Sequence, residues 1–313
     1  HLEFRLGDPT DERPRISFAR SLDYDSAEVF PDDAARALHE LRYCEYYVPT
    51  ALGGRFSRVD ELLYALRAVS RRDLTLAIGH AVTMLGAIPV WVGGTPLQRT
   101  ACAAIVLADK PMSFALTEAT HGSDLLASDC RLGEGPDGLE LNGEKWLINN
   151  ATRGAALCVY AHHEGYKGAR GSTIVFLDKS ELSLGTWEST PKIPTVGIRG
   201  ADISGIRFTR ARLGKHQVVG RIGQGLELVW RSLQITRTLC SGLSLGAADT
   251  GLRLAALNAR KASKSARPRA TQALAYMCEI ILGAGGVALC TTPLSHVVPQ
   301  ELSLASAFPK YFV

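Results

Sequence analysis

At 313 residues the chain is longer than one ordinary hydrophobic core usually serves, so two or three subdomains are expected. The net charge of +4 is mild and dispersed, with no Lys/Arg block interleaved with aromatics, which argues against nucleic acid as a partner. Seven cysteines without a CxxC pair or zinc-ligand spacing read as reduced thiols of a cytoplasmic protein.

The first residues mix charge with apolar positions and do not read as a secretory signal. From Asp32 to about Leu107 the spacing is helical, with Ala34, Leu38 and Leu41 on one stripe and Val59, Leu62, Leu63, Leu66 and Val69 on a second. Ser57 with Asp60 predicts a capping box for the second of these helices, and Thr95-Pro96 an N-cap and first position for a third. Leu74 to Gly94 is apolar and barely long enough to cross a membrane. Pro89 and the glycines favour a buried helix followed by a break, so no membrane span is expected and the chain reads as soluble.

From Met112 to about Val219 short apolar runs alternate with turn residues, for example Leu157 to Ala161 and Ser172 to Leu177, the pattern of a β-domain. A strand ending at Leu116-Thr117 is expected to turn at Gly122-Ser123, residue types that let backbone amides approach an anion such as a pyrophosphate. Asn142-Gly143 predicts a type I′ hairpin turn, and Trp146 is read as buried core on the face opposite Leu147. Helical spacing returns after Gly223, in a long segment ending near Arg260 and another from about Thr271 to Cys290. The basic cluster between them, Arg260 to Arg269, reads as a solvated loop.

Three stretches carry a family resemblance: Leu116-Thr-Glu through Gly122-Ser-Asp124, then Asn142-Gly-Glu-Lys through Ile148-Asn-Asn150, then Gly197 to Phe208. In this order they resemble the acyl-CoA dehydrogenase family, from roughly Ala35 onward. The resemblance implies an α+β fold: an N-terminal helical domain (1–111), a middle β-barrel or sandwich domain (112–220) and a C-terminal helical bundle (221–313) that reads as incomplete. It also implies FAD as cofactor. Thr117 would donate to the pyrimidine edge of the flavin, Gly122 and Ser123 would form the phosphate loop, and Phe114, Leu116, Leu147 and Asn149 would line the ring. Leu147 and Asn149 stand where most members have an aromatic residue and a threonine. His121 before Gly-Ser is more frequent in acyl-CoA oxidases. Gly220 to Glu227 resembles the entry to the C-terminal helices, and Arg237 an arginine approaching the active centre.

The implied reaction is α,β-dehydrogenation of an acyl thioester, carried by coenzyme A or an acyl-carrier protein in fatty acid or polyketide metabolism. It needs a carboxylate base in a dry pocket. The family's usual glutamate has no counterpart before Val313, and the alternative position in the long helix is Thr236 or Ile235. The resemblance implies a structural role for Glu118, accepting backbone amides, and Glu227 reads as a first-turn helix carboxylate. The expected partners are further copies of the chain, as a dimer or tetramer, and an electron-transfer flavoprotein. An oxygen-using acyl-CoA oxidase-like flavoprotein and a non-catalytic flavin-binding subunit are the alternative expectations.

Overall fold

The computed structural model describes residues 2–136, 138–261, 263–264 and 266–291. Helices α1 (Leu2–Leu6), α2 (Phe18–Ser26), α3 (Asp32–Glu40), α4 (Val59–Ser70), α5 (Leu74–Gly93) and α6 (Pro96–Leu107) precede the sheet. After it come α7 (Gly225–Arg260) and α8 (Arg267–Thr291). The α6 cap is as expected: Thr95 and Gln98 form a reciprocal capping box with Pro96 at the start. The cap expected for α4 is corrected. Its N-cap is Arg58, and the Ser57 hydroxyl instead donates to Glu61 at 2.9 Å.

Helix α5 runs through Pro89 to Gly93, so the expected break falls later than the proline. Asp73 caps its start by accepting from the Leu76 amide at 2.8 Å. Both α5 and Arg267–Cys290 are long and apolar enough to cross a membrane by length and composition. The first is largely core, whereas only 6% of the second is buried.

Among the described residues, eight strands form one mixed sheet: β1 (Met112–Ala115), β2 (Arg131–Gly135), β3 (Gly138–Asn149), β4 (Ala156–His163), β5 (Ser172–Asp178), β6 (Trp187–Thr190), β7 (Ile203–Leu213) and β8 (Val218–Val219). Their order is β6-β7-β3-β2-β4-β5-β8, with β1 parallel to β4. One face packs on the helices: Phe114, Cys158, Tyr160, Ile174 and Phe176 share a core with α3 to α7. The other face holds its own core of Leu132, Leu141, Leu157, Val159, Leu177 and Phe208. Strand β4 is therefore covered on both faces, which explains its unbroken apolar run.

Asn142 and Gly143 do not form a hairpin turn. They lie inside β3, which pairs with β2 on one edge and β7 on the other. The β2–β3 reversal lies between Gly135 and Gly138. A register shift against β7 falls at Leu141/Gly143, where Asn142 Oδ1 accepts the Arg210 amide at 2.8 Å. Gly143 has φ +130°, and an added Cβ would stand 2.7 Å from Cys130 Cα, so glycine serves a bulge and a close approach.

The C-terminal helices dock on the N-terminal ones. Gly242 of α7 lies against the Leu63 carbonyl of α4, and Asp249 pairs with Arg67 and Arg71 at 2.7 Å each. Thr236 spends its hydroxyl on the Ser232 and Leu233 carbonyls, at 3.3 Å each. The described part of the basic connection between α7 and α8 is exposed, as the sequence suggests. The last expected segment, ending in Lys310 to Val313, lies outside the described residues.

Candidate functional site

Strands β1 and β2 both pair with β4, one after the other: Met112–Ala115 opposite Ala156–Val159, and Arg131–Leu132 opposite His162–His163. Residues 116–130 must therefore leave the sheet and re-enter it along the same neighbour. They form a loop whose turn is closed by Glu118 and His121, the amide of each donating to the other's carbonyl at 2.9 and 3.3 Å. Gly122, Ser123 and Asp124 follow, all exposed, with nothing within 4 Å of a Cβ built on Gly122. Gly122 and the Ser123 side chain therefore face solvent, where a ligand could meet them.

A buried ion pair holds this loop. Lys145 on β3 is fully buried, and its Nζ donates to Glu118 Oε1 at 2.6 Å, the Leu116 carbonyl at 3.0 Å and Ser128 Oγ at 3.3 Å. The Glu118 carboxylate also accepts from Ser128 Oγ at 2.5 Å and from the amides of Asp129 and Cys130 at 2.6 and 3.1 Å. Burial pushes its pKa up, but the Lys145 and Ser128 hydrogen bonds outweigh burial and hold it at about 2. The structural role expected for Glu118 is thus observed. Lys145, which the sequence offered only as part of a motif, is the partner that sequence reasoning missed.

Strand β3 reaches the loop through a second register shift, between Lys145 and Ile148. The Trp146 amide leaves the ladder with β7 and donates to the Thr117 carbonyl at 2.8 Å. Leu147 takes φ +56°, a sparsely populated conformation for a branched residue. The bulge breaks the alternation, so Trp146 and Leu147 are both exposed, at 37% and 43%. Trp146 is therefore not core, which corrects the expectation of burial on the opposite face. Strict period-two reading fails wherever an extra residue is inserted.

Leu116, Thr117 and Asn149 are half-buried beside these groups in sequence, and Asn149 Oδ1 is buried without a hydrogen-bond partner. Such an atom is costly unless a ligand satisfies it. Phe114 lies in the core shared with the helices, at 5% exposure. Hydrogen bonds thus tie Trp146 to Thr117, and Lys145 to Leu116 and Glu118, in the loop that exposes Gly122 and Ser123.

His121 is a brace of the loop. Its Nδ1 lies 3.1 Å from Asp124 and its Nε2 3.3 Å from Asp129, and hydrogen bonding to Asp124 raises its pKa. Glu227 is exposed at the start of α7, 3.2 Å from Gln224 Nε2 and 3.6 Å from Arg231. Arg237 is half-buried nearly three turns further, its guanidinium 5.8 Å from the Trp230 ring.

Residues 113–211 match the profile described as acyl-CoA dehydrogenase, middle domain, which spans the loop and both bulges of β3. Over 242 residues the chain is 27% identical to cyclohex-1-ene-1-carbonyl-CoA dehydrogenase of Geobacter metallireducens, covering 75% of this chain and 62% of that protein. The chain spans about 60% of the length of the curated relatives it matches. The fold is similar to a chain solved in work on the electron transferring flavoprotein of Acidaminococcus fermentans, with TM-score 0.87, 21% identity and coverage of 99% of this chain and 80% of that one. It is similar also to an acyl-CoA dehydrogenase complexed with FAD from Bacillus anthracis, with TM-score 0.81, 21% identity and coverage of 99% and 53%. The matched profile over the sheet and the order of helices and sheet agree in their similarity to acyl-CoA dehydrogenases.

Proposed function

We propose that the chain belongs to an FAD-dependent, cytoplasmic oxidoreductase that removes hydrogen across the α,β bond of an acyl thioester, on coenzyme A or an acyl-carrier protein. The single observation that carries this is the preorganised loop: a buried Glu118–Lys145 pair fixes residues 116–130 and leaves Gly122, Ser123 and Asp124 presented to solvent. The residues fit the cofactor. Ser123 and the neighbouring amides suit a phosphate, Leu116 and Leu147 supply an apolar surface, and the partnerless Asn149 Oδ1 can take a donor from a polar ring edge. When bound, FAD supplies hydride acceptance. Thr117 would orient the ring through its hydroxyl and amide, and the Trp146–Thr117 contact would hold that threonine in place.

The proton needs a different group. Glu118 is saturated by four donors, Glu227 is exposed, and the Thr236 hydroxyl is spent on its own helix. None of the positions weighed as bases is free for that task in a dry site, so this reading requires a base other than these. The exposed Tyr276, Ile280 and Leu282 on α8 support burial against another copy of the chain. An electron-transfer flavoprotein is the proposed acceptor.

The test is an anaerobic titration of the flavin-loaded protein with a panel of acyl thioesters, followed by admission of oxygen. Bleaching of the flavin absorbance that oxygen restores only slowly supports a dehydrogenase. Rapid reoxidation with peroxide release would identify an oxidase. Flavin that no thioester bleaches, in the full native protein, would identify a non-catalytic subunit and overturn the enzymatic reading.

A further inference from the structure

A second cluster lies in the helical part, on residues outside the 116–130 loop. His39 comes from the last turn of α3, Cys44 from the 3₁₀ turn Tyr43–Tyr47, and Asp109 from the cap of α6. His39 Nδ1 stands 3.5 Å from Asp109 Oδ2, and one donor atom from each of the three residues lies within 4.8 Å of the others.

Asp109 is an unusual residue for its position. The Asp109 amide donates to the Val106 carbonyl at 2.9 Å and the Lys110 amide to the Ile105 carbonyl at 3.2 Å, so it occupies the left-handed position that closes a helix, with φ +55°. Glycine is the usual choice there, and a carboxylate faces the negative end of the helix dipole. Its side chain is largely withdrawn from water, at 22% exposure, and among the described residues its one ion-pair partner is His39. Helix α3 ends next to the same point, so two helix C-termini converge on a carboxylate, an imidazole and a buried thiol. Every one of these features favours an added positive charge.

We propose that His39, Cys44 and Asp109 form a mononuclear site for a divalent cation of the zinc class, with a fourth position open to water. One nitrogen, one sulfur and one oxygen donor suit a borderline-soft ion, whereas magnesium and calcium require oxygen ligands throughout. Tetrahedral bonds of about 2.0–2.3 Å place donors roughly 3.3–3.8 Å apart. The His39 Nδ1–Asp109 Oδ2 separation of 3.5 Å already meets this, and the 4.8 Å that bounds the cluster leaves the thiol at most a small adjustment to make. Beside the cluster a cavity of about 200 Å³, lined by Cys44, Asp109, Tyr47 and His80, gives room for the water. Arg36, Lys110 and Arg153 line the same cavity, so the three donors must hold the ion against their charge, and three donors suffice for one ion only. Binding exchanges the Cys44 S–H bond for an S–metal bond and releases that proton to solvent. The bound ion would tie α3, the 3₁₀ turn and α6 together.

The test is a titration of the chelator-treated full chain with Co²⁺, read from the near-ultraviolet thiolate-to-cobalt band, with Zn²⁺ as competitor. The expected result is one cobalt per chain, displacement by zinc and a higher thermal midpoint with either ion. Cys44→Ser should abolish the band, and Asp109→Asn should weaken binding by on the order of 10-fold or more. Cys240→Ser, which removes an exposed thiol elsewhere, should leave it intact. If Cys44→Ser does not fold, His39→Ala, at a side chain 54% exposed, carries the test and must also weaken binding. Absence of a stoichiometric band, or a band that persists in Cys44→Ser or is unchanged in His39→Ala, would overturn the assignment.

Discussion

Glu118 in the sheet loop and Asp109 in the helical corner are both carboxylates drawn out of water, yet they are displaced in opposite directions. Burial raises both. At Glu118, Lys145, Ser128 and two amides outweigh it and hold the group at about 2, while at Asp109 burial prevails against His39 alone and lifts it to about 6. Partner supply therefore decides what burial does to an acid. The fully satisfied carboxylate makes a rigid platform whose exposed tip can meet a ligand, and the poorly satisfied one leaves a place for a ligand to fill.

The sharpest way to break this contrast is to remove the platform's cation. Lys145→Met strands Glu118 in the interior and should cost about 3–5 kcal/mol, with loss of FAD binding, whereas Lys145→Met with Glu118→Gln should recover part of the stability. Denaturant unfolding of the single and double variants measures it, and equal stability of wild type and Lys145→Met would remove the platform from the account.

The helical corner predicts an acid effect. His80 is buried against Tyr43, and burial, then repulsion from Arg153, lowers its pKa from 6.5 to about 4. A histidine depressed in the folded state keeps its full contribution above pH 6.5 and loses it as pH falls through about 4. That contribution is roughly 3 kcal/mol, at 1.36 kcal/mol per unit. His80→Phe should flatten this part of the stability–pH curve, and an unchanged slope would show that the imidazole is not the group responsible.

Ser123→Ala tests the exposed tip alone. It should weaken FAD binding by about 1.5–3 kcal/mol, the worth of a hydrogen bond to a charged group, and leave the thermal midpoint unmoved. Unchanged affinity would take Ser123 out of the site. The smallest effect belongs to the exposed Arg207, which bridges Glu144 and Glu188 at 2.8 and 2.6 Å. Arg207→Ala should leave the unfolding midpoint almost unmoved in the same assay, since water screens the pairs it breaks.

Local chemistry was readable in the sequence wherever the partners are near neighbours. The Thr95-Pro96 start of α6 and the apolar strands β4 and β5 follow from local sequence, and the structural role of Glu118 from the family resemblance. Asn142-Gly143 has the composition of a tight turn, but pairing with strands on both sides keeps it extended, and those strands are set by distant residues. Trp146 and Leu147 break alternation because the Trp146 amide is claimed by Thr117, a contact across the loop that no period reveals. The His39–Cys44–Asp109 cluster is equally invisible to spacing, since its members are brought together only by the packing of α3, the 3₁₀ turn and α6.

Equilibrium dialysis of FAD against the purified chain, with Lys145→Met beside it, tests the central claim most directly. The account predicts bound, noncovalent FAD on the folded wild-type protein and none on the variant. Folded wild-type protein that takes up no FAD, or a variant that binds it as tightly, would contradict the claim that the Glu118–Lys145 pair holds a flavin-binding loop in place.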